Sequence, residues 1–117
     1  MLFLGYSRCS TCQKARKWLD SRNIVYEFRE IKEQNPTVDE LREWIRSSGL
    51  STRRFVNTSG VLYRSLNLKD KIPSTTDEEV VELLASDGML VKRPILVDDG
   101  TTLVGFNEAE WGNKLGG

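Results

Sequence analysis

The chain has 117 residues, 38% hydrophobic and 29% charged, a composition that excludes disorder as the default and fits one domain over residues 1–117. Seventeen basic and 17 acidic residues give a net charge of zero, which argues against a broad surface for direct nucleic-acid binding. No apolar run is long enough for a membrane helix or a signal peptide, so we expect a cytoplasmic protein with no membrane contact.

The chain begins with a predicted strand, a helix and a second strand. Residues 1–6 are mostly apolar and predict the first strand. Apolar side chains then recur at helical spacing, at Cys12, Ala15, Trp18 and Leu19. Residues 24–29 alternate in polarity and predict a second strand, parallel to the first through a right-handed crossover.

A run of helices is predicted between residues 37 and 90. Two of these helices begin with the capping-box pattern, at Thr37 with Glu40 and at Thr76 with Glu79. Shorter helical turns are predicted over residues 51–55 and 63–68. The adjacent Arg53 and Arg54 are expected on a solvated helix face.

The last third of the chain predicts a hairpin and a closing helix. Residues 94–98 predict a buried strand, residues 99–100 form a hairpin turn, and residues 101–106 predict the partner strand. Asn107 is expected to cap the final helix, and residues 116–117 are expected to fray.

The order of these elements predicts a single thioredoxin-like domain. It is an α/β fold with a mixed four-stranded sheet and flanking helices. The helical run, at about residues 37–90, is an insertion between the two halves of this fold. The strand that opens at Pro94 is expected beside the first strand.

Two cysteines, Cys9 and Cys12, lie where the first predicted strand gives way to the first helix. A helix N-terminus has unsatisfied N–H groups and a partial positive charge, which lower the pKa of a thiol there. The strand–CxxC–helix order is typical of a thioredoxin-like redox motif, with Cys9 as nucleophile and Cys12 as resolving thiol. Arg8 and Lys14 add positive charge nearby. The pKa of Cys12 is expected to stay near its ordinary value.

Two other interpretations of the cysteine pair stay open. In one the thiols are structural, and in the other they form half of a metal site shared between two chains. Because the sequence has no histidine and no third cysteine, it cannot complete a Cys₂His₂ or four-cysteine zinc site alone. It also cannot perform Ser-His-Asp or Cys-His catalysis. We therefore predict no metal and no cofactor.

The dipeptide of Arg93 and Pro94 precedes the predicted third strand. Thioredoxin-like folds place a cis-proline at this position, facing the cysteine pair, so we predict a cis bond here with Arg93 near Cys9. The arginine would hold a thiolate or an oxyanion through its fork of donors. The alternative is an ordinary proline at a strand start beside a solvated arginine.

The chain resembles the arsenate reductase/Spx family over almost its whole length. The segments that carry this resemblance are YSRCSTCQKA at residues 6–15, FVNTSG at 55–60, KRPILVD at 92–98 and VGFNE at 104–108. The resemblance implies a thioredoxin fold with a helical insertion and a redox-active cysteine after the first strand. The CxxC pair makes the chain more similar to the arsenate reductase-like and Spx branch than to glutaredoxin-linked arsenate reductases.

The match to the glutaredoxin-linked branch is incomplete. In that branch the nucleophile corresponds to Cys9, a serine stands at the position of Cys12, and arginines surround the oxyanion. Arg93 matches one of these arginines, Asn57 stands in place of a second, and residues 105–107 offer no counterpart of the third. Since an arsenate anion needs cations around it, we expect arsenate reduction to be weak or absent unless Arg53, Arg54 or Arg64 reaches the site.

These observations predict a small thiol–disulfide redox protein of the arsenate reductase-like family. The predicted catalytic residues are Cys9, Cys12 and Arg93, and the predicted substrate-binding residues are Arg8, Asn57 and Pro94. Its partner would be a thiol or disulfide protein or a small thiol. The alternatives are an Spx-like redox-sensing transcriptional regulator, which the resemblance links to the α-subunit of RNA polymerase, and an arsenate reductase with an altered oxyanion site.

Overall fold

The computed structural model describes residues 1–115, which form an α/β fold. Its strands are β1 (Leu2–Gly5), β2 (Glu27–Glu30), β3 (Ile95–Asp98) and β4 (Thr101–Val104). Its α-helices are α1 (Ser10–Ser21), α2 (Val38–Ser48), α3 (Val61–Ser65), α4 (Leu68–Lys71), α5 (Asp77–Ser86) and α6 (Glu108–Lys114). Short 3₁₀ helices cover Thr52–Phe55, Ile72–Ser74 and Gly88–Leu90. The predicted fraying of residues 116–117 lies outside the described range.

The strands form one mixed sheet in the order β2-β1-β3-β4. The β1 and β2 strands run parallel, whereas β3 is antiparallel to both β1 and β4. The β3–β4 turn contains Gly100, whose φ of 79° lies in the left-handed region that favours glycine. The predicted mixed sheet, the hairpin and the pairing of the first and third strands are therefore confirmed.

Alternation along the two central strands divides the buried side chains between the two faces of the sheet. Phe3 lies opposite Leu96 and packs in the cluster that includes Trp18 of α1 and Trp111 of α6. The next pair, Leu4 and Ile95, packs in a second cluster with the helices between β2 and β3. The sheet is thus covered on both faces, and residues 6–8 connect its central β1 strand to Cys9.

The β2 strand begins at Glu27, later than the predicted start at residue 24. Asn23 has a φ of 58°, and the N–H of Ile24 donates to the Leu19 carbonyl at 3.1 Å, so the chain is still tied to the end of α1. Pairing with β1 starts only where Leu2 faces Glu27. The alternation before that point reflects local packing rather than pairing within a sheet.

Two further boundaries differ from the sequence prediction because of left-handed residues. The last strand ends at Val104 instead of residue 106, since Gly105 has a φ of 74° and turns the chain toward α6. The helical turn predicted over residues 63–68 is divided between α3 and α4 by Asn67, whose φ is 53°.

Polar caps begin three of the helices as predicted. Both capping boxes are present, one formed by Thr37 with Glu40 and the other by Thr76 with Glu79. Asn107 caps α6 by accepting a hydrogen bond from the N–H of Glu110 at 2.9 Å. None of the helices described over residues 1–115 is long and apolar enough to cross a membrane.

A two-residue β-bridge joins the helical segment to the approach of β3. Val56 and Val91 pair in antiparallel fashion outside the main sheet. The N–H of Asn57 donates to the Leu90 carbonyl at 2.8 Å, and the N–H of Lys92 donates to the Phe55 carbonyl at 2.7 Å. This bridge holds the segment around Asn57 beside the segment that leads to Arg93.

Candidate functional site

Cys9 is the N-cap of α1. Its φ of −86° and ψ of 121° are extended, as is usual for a residue that precedes a helix. Its N–H donates to the Tyr6 carbonyl at 2.9 Å, and its carbonyl accepts from the N–H of Gln13 at 3.0 Å. No side chain caps this helix, so its first N–H groups remain available to a negative charge at Cys9.

Cys12 lies one turn further along α1 and is 1% exposed. Its Sγ accepts a hydrogen bond from the N–H of Tyr6 at 3.5 Å. Gly5 makes room for this sulfur, because a Cβ at that position would stand 3.2 Å from Sγ and 2.6 Å from the Phe3 ring. Both thiols are free, and they differ in that Cys9 is only partly buried.

The pKa values of the two thiols are displaced in opposite directions. Partial burial opposes ionisation of Cys9, but the backbone N–H and thiol of Cys12 and the charge of Arg93 outweigh it, so the pKa of Cys9 lies below its ordinary value. Burial is the main cause that raises the pKa of Cys12 to about 12, and the neighbouring Cys9 acts in the same direction. The expectation of a near-ordinary Cys12 is therefore wrong, because this thiol lies in the core.

Arg93 stands at the entrance to β3, and the bond between it and Pro94 is cis, as predicted. Its guanidinium carbon lies 5.4 Å from the centre of the Tyr6 ring, within cation–π range. Its Nε and Nη1 atoms are buried and have no hydrogen-bond partner within residues 1–115. Pro94 is buried, and its carbonyl accepts from the N–H of Gly105 at 2.8 Å.

A cleft of about 480 Å³ opens beside Cys9. It is lined by Cys9, Thr11, Arg54, Asn57, Ser59, Gly60, Lys92, Arg93, Val104, Gly105, Phe106, Asn107 and Glu110. The lining residues come from the start of α1, the β-bridge segments, the end of β4 and the first turn of α6. The cleft therefore forms where the helical segment meets both halves of the sheet.

Of the six residues that were predicted for the site, the structure brings three together in the cleft. Cys9, Asn57 and Arg93 all line the cleft, while Cys12 and Pro94 are buried and do not line it. The Asn57 side-chain amide donates to the Met89 carbonyl at 3.3 Å, which holds it at the cleft wall. Arg8 is different: its side chain is exposed and is not among the lining residues.

Three charged residues of the cleft were not predicted as site residues. Arg54 is exposed, as expected for a solvated helix face, but it also lines the cleft. Lys92 and Glu110 line it as well. Its position next to the Arg93-Pro94 dipeptide was the one sequence signal that could have identified Lys92. Arg54 and Glu110 had no such signal, because only the tertiary fold brings them to the cleft.

Over residues 1–115, no group of three or more His, Cys, Asp or Glu side chains is placed to hold a metal ion. The chemistry that the site can support on its own is that of a partly exposed thiol with a lowered pKa, a buried thiol behind it and a cluster of cations in front.

Comparisons with known proteins agree on one family. Residues 4–113 match the model of the ArsC family. The chain is 44% identical over 111 residues to the uncharacterized protein YusI of Bacillus subtilis, covering 95% of this chain and 94% of that protein. It is 32% identical over 103 residues to the global transcriptional regulator Spx of Listeria innocua, covering 87% and 76%.

A solved structure supports the same assignment. The ArsC family related protein from Bacteroides fragilis is 54% identical, with a TM-score of 0.92 and coverage of 96% of each chain. The predicted α/β fold class and the predicted family resemblance are thereby confirmed. The chain belongs to the ArsC family.

Proposed function

We propose that this chain is a thiol–disulfide redox protein in which Cys9 attacks a disulfide and Cys12 resolves the product. The observation that carries the proposal is the opposite environment of two thiols three residues apart. Cys9 lines the cleft and has a lowered pKa, whereas Cys12 is buried and has a pKa of about 12. Since the thiolate is the nucleophile, Cys9 is the thiol that reacts first.

The proposed reaction proceeds in two exchange steps. The Cys9 thiolate attacks one sulfur of a disulfide, a Cys9–sulfur bond forms, and the other sulfur leaves as a thiolate. Cys12 then attacks Cys9, its proton passes to the second leaving thiolate, and an intramolecular disulfide forms. The substrate gains two electrons and the protein loses two. An external dithiol, either a redox protein or a small thiol, restores the reduced pair.

The effect of Cys9 on the pKa of Cys12 supports this order of events. The neighbouring Cys9 helps to raise the pKa of Cys12 while both thiols are free. Once Cys9 is bound in a mixed disulfide, it carries no negative charge, so this contribution disappears. Cys12 therefore becomes easier to ionise when its attack is needed.

Arg93 is the proposed third catalytic residue. Its charge favours the Cys9 thiolate, and the Tyr6 ring beneath the guanidinium holds that charge near the cleft. Asn57 and Pro94 are proposed to shape the substrate side of the site, the first at the cleft wall and the second below it. Arg8 lies outside the cleft, so its proposed contact is with a partner large enough to extend beyond it.

The test is turnover of a small disulfide with an external dithiol, together with capture of the intermediate. We expect turnover in wild type, none in Cys9→Ser, and a single stoichiometric mixed disulfide on Cys9 in Cys12→Ser. Mass spectrometry identifies the adduct, and the same Cys12→Ser variant captures the natural partner from native lysate. Adduct formation on Cys12 instead of Cys9 would reverse the assigned roles.

An Spx-like regulator is the second candidate, favoured by the similarity to proteins named as global transcriptional regulators. In this case the cysteine pair would switch binding to the α-subunit of RNA polymerase. The observation that decides for it is co-purification with the α-subunit that changes between the reduced and oxidised protein, without turnover of disulfides. Turnover without polymerase binding decides for the redox protein.

Arsenate reduction is the third candidate, and the cations Arg54 and Lys92 beside Arg93 favour it more than the sequence did. We still expect weak or no activity, because Asn57 supplies no charge at its position. Arsenate-dependent NADPH oxidation, coupled through glutaredoxin or thioredoxin, measures it in wild type and Asn57→Arg. Strong wild-type turnover that is lost in Cys9→Ser would make arsenate the substrate.

A further inference from the structure

The cleft beside Cys9 is electrically different from the chain as a whole. The full chain has a net charge of zero. In the part of the chain that the structure describes, three cationic side chains line the cleft, Arg54, Lys92 and Arg93, against the single carboxylate of Glu110. Positive charge is therefore concentrated where a substrate would meet the Cys9 thiolate.

Two of these cations have no partner among residues 1–115. No hydrogen bond or ion pair engages the side chains of Arg54 and Lys92 over residues 1–115. The neighbouring Arg53 shows the contrast, because it pairs with Asp77 at 2.9 Å and donates to the Thr75 carbonyl at 2.8 Å. Of two adjacent arginines, one is used within the fold and the other is left facing the cleft.

The backbone holds the two unpaired cations at the same cleft. Lys92 donates its N–H to the carbonyl of Phe55, the residue after Arg54, at 2.7 Å. The Lys92 side chain passes over Gly105, where an added Cβ would stand 3.1 Å from Cε. A Cβ at residue 105 would force the flexible lysine side chain to shift by a few tenths of an ångström, so glycine leaves Lys92 unobstructed at the cleft wall.

We propose that Arg54 and Lys92 make this site selective for small disulfides that carry carboxylates. The inference rests on the proposed thiol–disulfide function and names the substrate class for it. A thiolate repels an anionic disulfide in water, and two unpaired cations beside Cys9 offset that repulsion. A cleft of about 480 Å³ is the size of a small-molecule site.

The reacting step is the first exchange of the proposed reaction. The Cys9 thiolate attacks one sulfur of the disulfide, the bond between the two substrate sulfurs breaks, and a carboxylate-bearing thiolate leaves and takes a proton from water. In a Cys12→Ser background the reaction stops at this mixed disulfide. The rate of the step can then be measured without an added reductant.

The experiment compares two dialkyl disulfides, dithiodipropionate with two carboxylates and bis(2-hydroxyethyl) disulfide with no charge. Mass spectrometry follows adduct formation on Cys9 of the Cys12→Ser protein. For Cys9, the rate with the anionic disulfide is divided by the rate with the neutral disulfide. This ratio is then divided by the corresponding ratio for 2-mercaptoethanol, a free thiol that reacts with the same two disulfides. This normalisation removes differences in leaving group and in the reactivity of the thiolate.

We expect the normalised ratio to be about tenfold in favour of the anionic disulfide at low salt. Arg54→Gln and Lys92→Gln should each lower it about threefold, and high salt should lower it similarly by screening. Glu110→Gln should raise it, because it removes the opposing carboxylate. Arg46→Gln is the matched control, since it removes an arginine on α2 that pairs with Glu43, outside the cleft.

The outcomes separate this inference from the function on which it rests. Equal normalised rates for both disulfides, or a preference that survives loss of both Arg54 and Lys92, would overturn the selectivity while leaving the exchange chemistry intact. If Cys9 reacts with neither disulfide, both the exchange function and the selectivity fall. A rise in the ratio for Glu110→Gln, with no change for Arg46→Gln, supports the assignment.

Discussion

Arginines lie both in the Cys9 cleft and on the α2 flank, by which we mean α2 with the adjacent Arg29 of β2. The two groups of arginines differ in whether an acidic residue pairs with them. On the flank, Arg46 pairs with Glu43, Arg42 with Glu78, and Arg29 of β2 makes a two-pronged contact with Glu40. In the cleft, Arg54 has no such partner among residues 1–115, and Arg93 has two buried nitrogen atoms without one.

The difference teaches what each set of charges does. An arginine that forms an ion pair with an acidic residue of the protein contributes to the stability of the fold and is less available to bind a ligand. A charge that is left unpaired beside a nucleophile costs stability in the absence of a ligand and favours any anion that enters. Mutations on the flank should therefore change the free energy of unfolding, and mutations in the cleft should change the reactivity of Cys9.

The largest expected effect is on the flank, in Arg29→Gln. Its Nη1 and Nη2 lie 2.7 and 2.9 Å from the two oxygens of Glu40, and its Nε donates to the Gln34 carbonyl at 2.9 Å. Removing these charged contacts leaves Glu40 partly buried without its partner. We expect the free energy of unfolding to fall by about 2 kcal/mol, measured by denaturant titration.

Acid provides the control for the Arg29 prediction. The hydrogen bond from Arg29 is the main reason that the pKa of Glu40 is lowered. The pair therefore contributes full stability above the ordinary pKa of a glutamate and loses it as the pH falls through the lowered value. The difference in unfolding free energy between wild type and Arg29→Gln should become smaller in acid. A difference that stays constant with pH would contradict this account.

The next effect is in the cleft, in Arg93→Gln. Loss of its charge should raise the pKa of Cys9, because the positive charge of Arg93 favours the thiolate. The rate of alkylation by iodoacetamide near pH 6 should then fall about tenfold. Arg42→Gln, on the α2 flank, should leave the rate–pH profile unchanged. An identical profile for both variants would show that Arg93 does not act on the thiolate.

A third effect concerns the buried thiol behind the cleft. Because burial raises the pKa of Cys12 from 9.0 to about 12, the unfolded state releases its proton first as the pH rises. The contribution of Cys12 to the free energy of unfolding is therefore full below pH 9. It declines above that pH by about 1 kcal/mol per pH unit. Cys9 adds no slope there, because its lowered pKa makes its contribution constant above its ordinary value.

The measurement is the unfolding free energy of the reduced protein between pH 8 and pH 10, in wild type and Cys12→Ala. The alanine variant will be less stable at every pH because it leaves a cavity, so the slope is the quantity to compare. Wild type should lose stability with pH more steeply than the variant. Parallel curves would mean that Cys12 ionises as readily in the folded as in the unfolded chain.

The smallest effect is expected for Arg46→Gln. The ion pair with Glu43 is exposed on both sides, and such pairs are worth about 0–1 kcal/mol. We expect a loss of stability below about 0.5 kcal/mol that decreases further in high salt. A loss as large as that of Arg29→Gln would remove the distinction between partly buried and exposed pairs on this flank.

Local patterns explain what could be predicted from the sequence. The caps at Thr37 and Thr76 were correct because a capping box involves only residues within one turn. The location of Cys9 at a helix start was equally local, since strand, cysteine and helix follow one another within a few residues. The cis bond at Pro94 was predicted from its place in the expected fold.

What could not be predicted depends on contacts between distant segments. Arg54 reaches the cleft because a β-bridge between Val56 and Val91 brings its segment to Lys92, and no periodicity reports such a bridge. The high pKa of Cys12 arises from burial in the core beside β1, which its helical spacing indicates only in part. Arg8 adjoins Cys9 in the sequence, yet its exposed side chain does not line the cleft.

The Val56–Val91 bridge also bears on how much change in length the chain can accept. It closes a loop over residues 57–90, and the entropy of closing a loop grows slowly, by about 0.6 kcal/mol for each doubling of length. The α3 helix within this loop contains no buried residue. Insertions there should therefore cost little stability and should leave the Val56–Val91 bridge, with Arg54 and Lys92 beside it, in register.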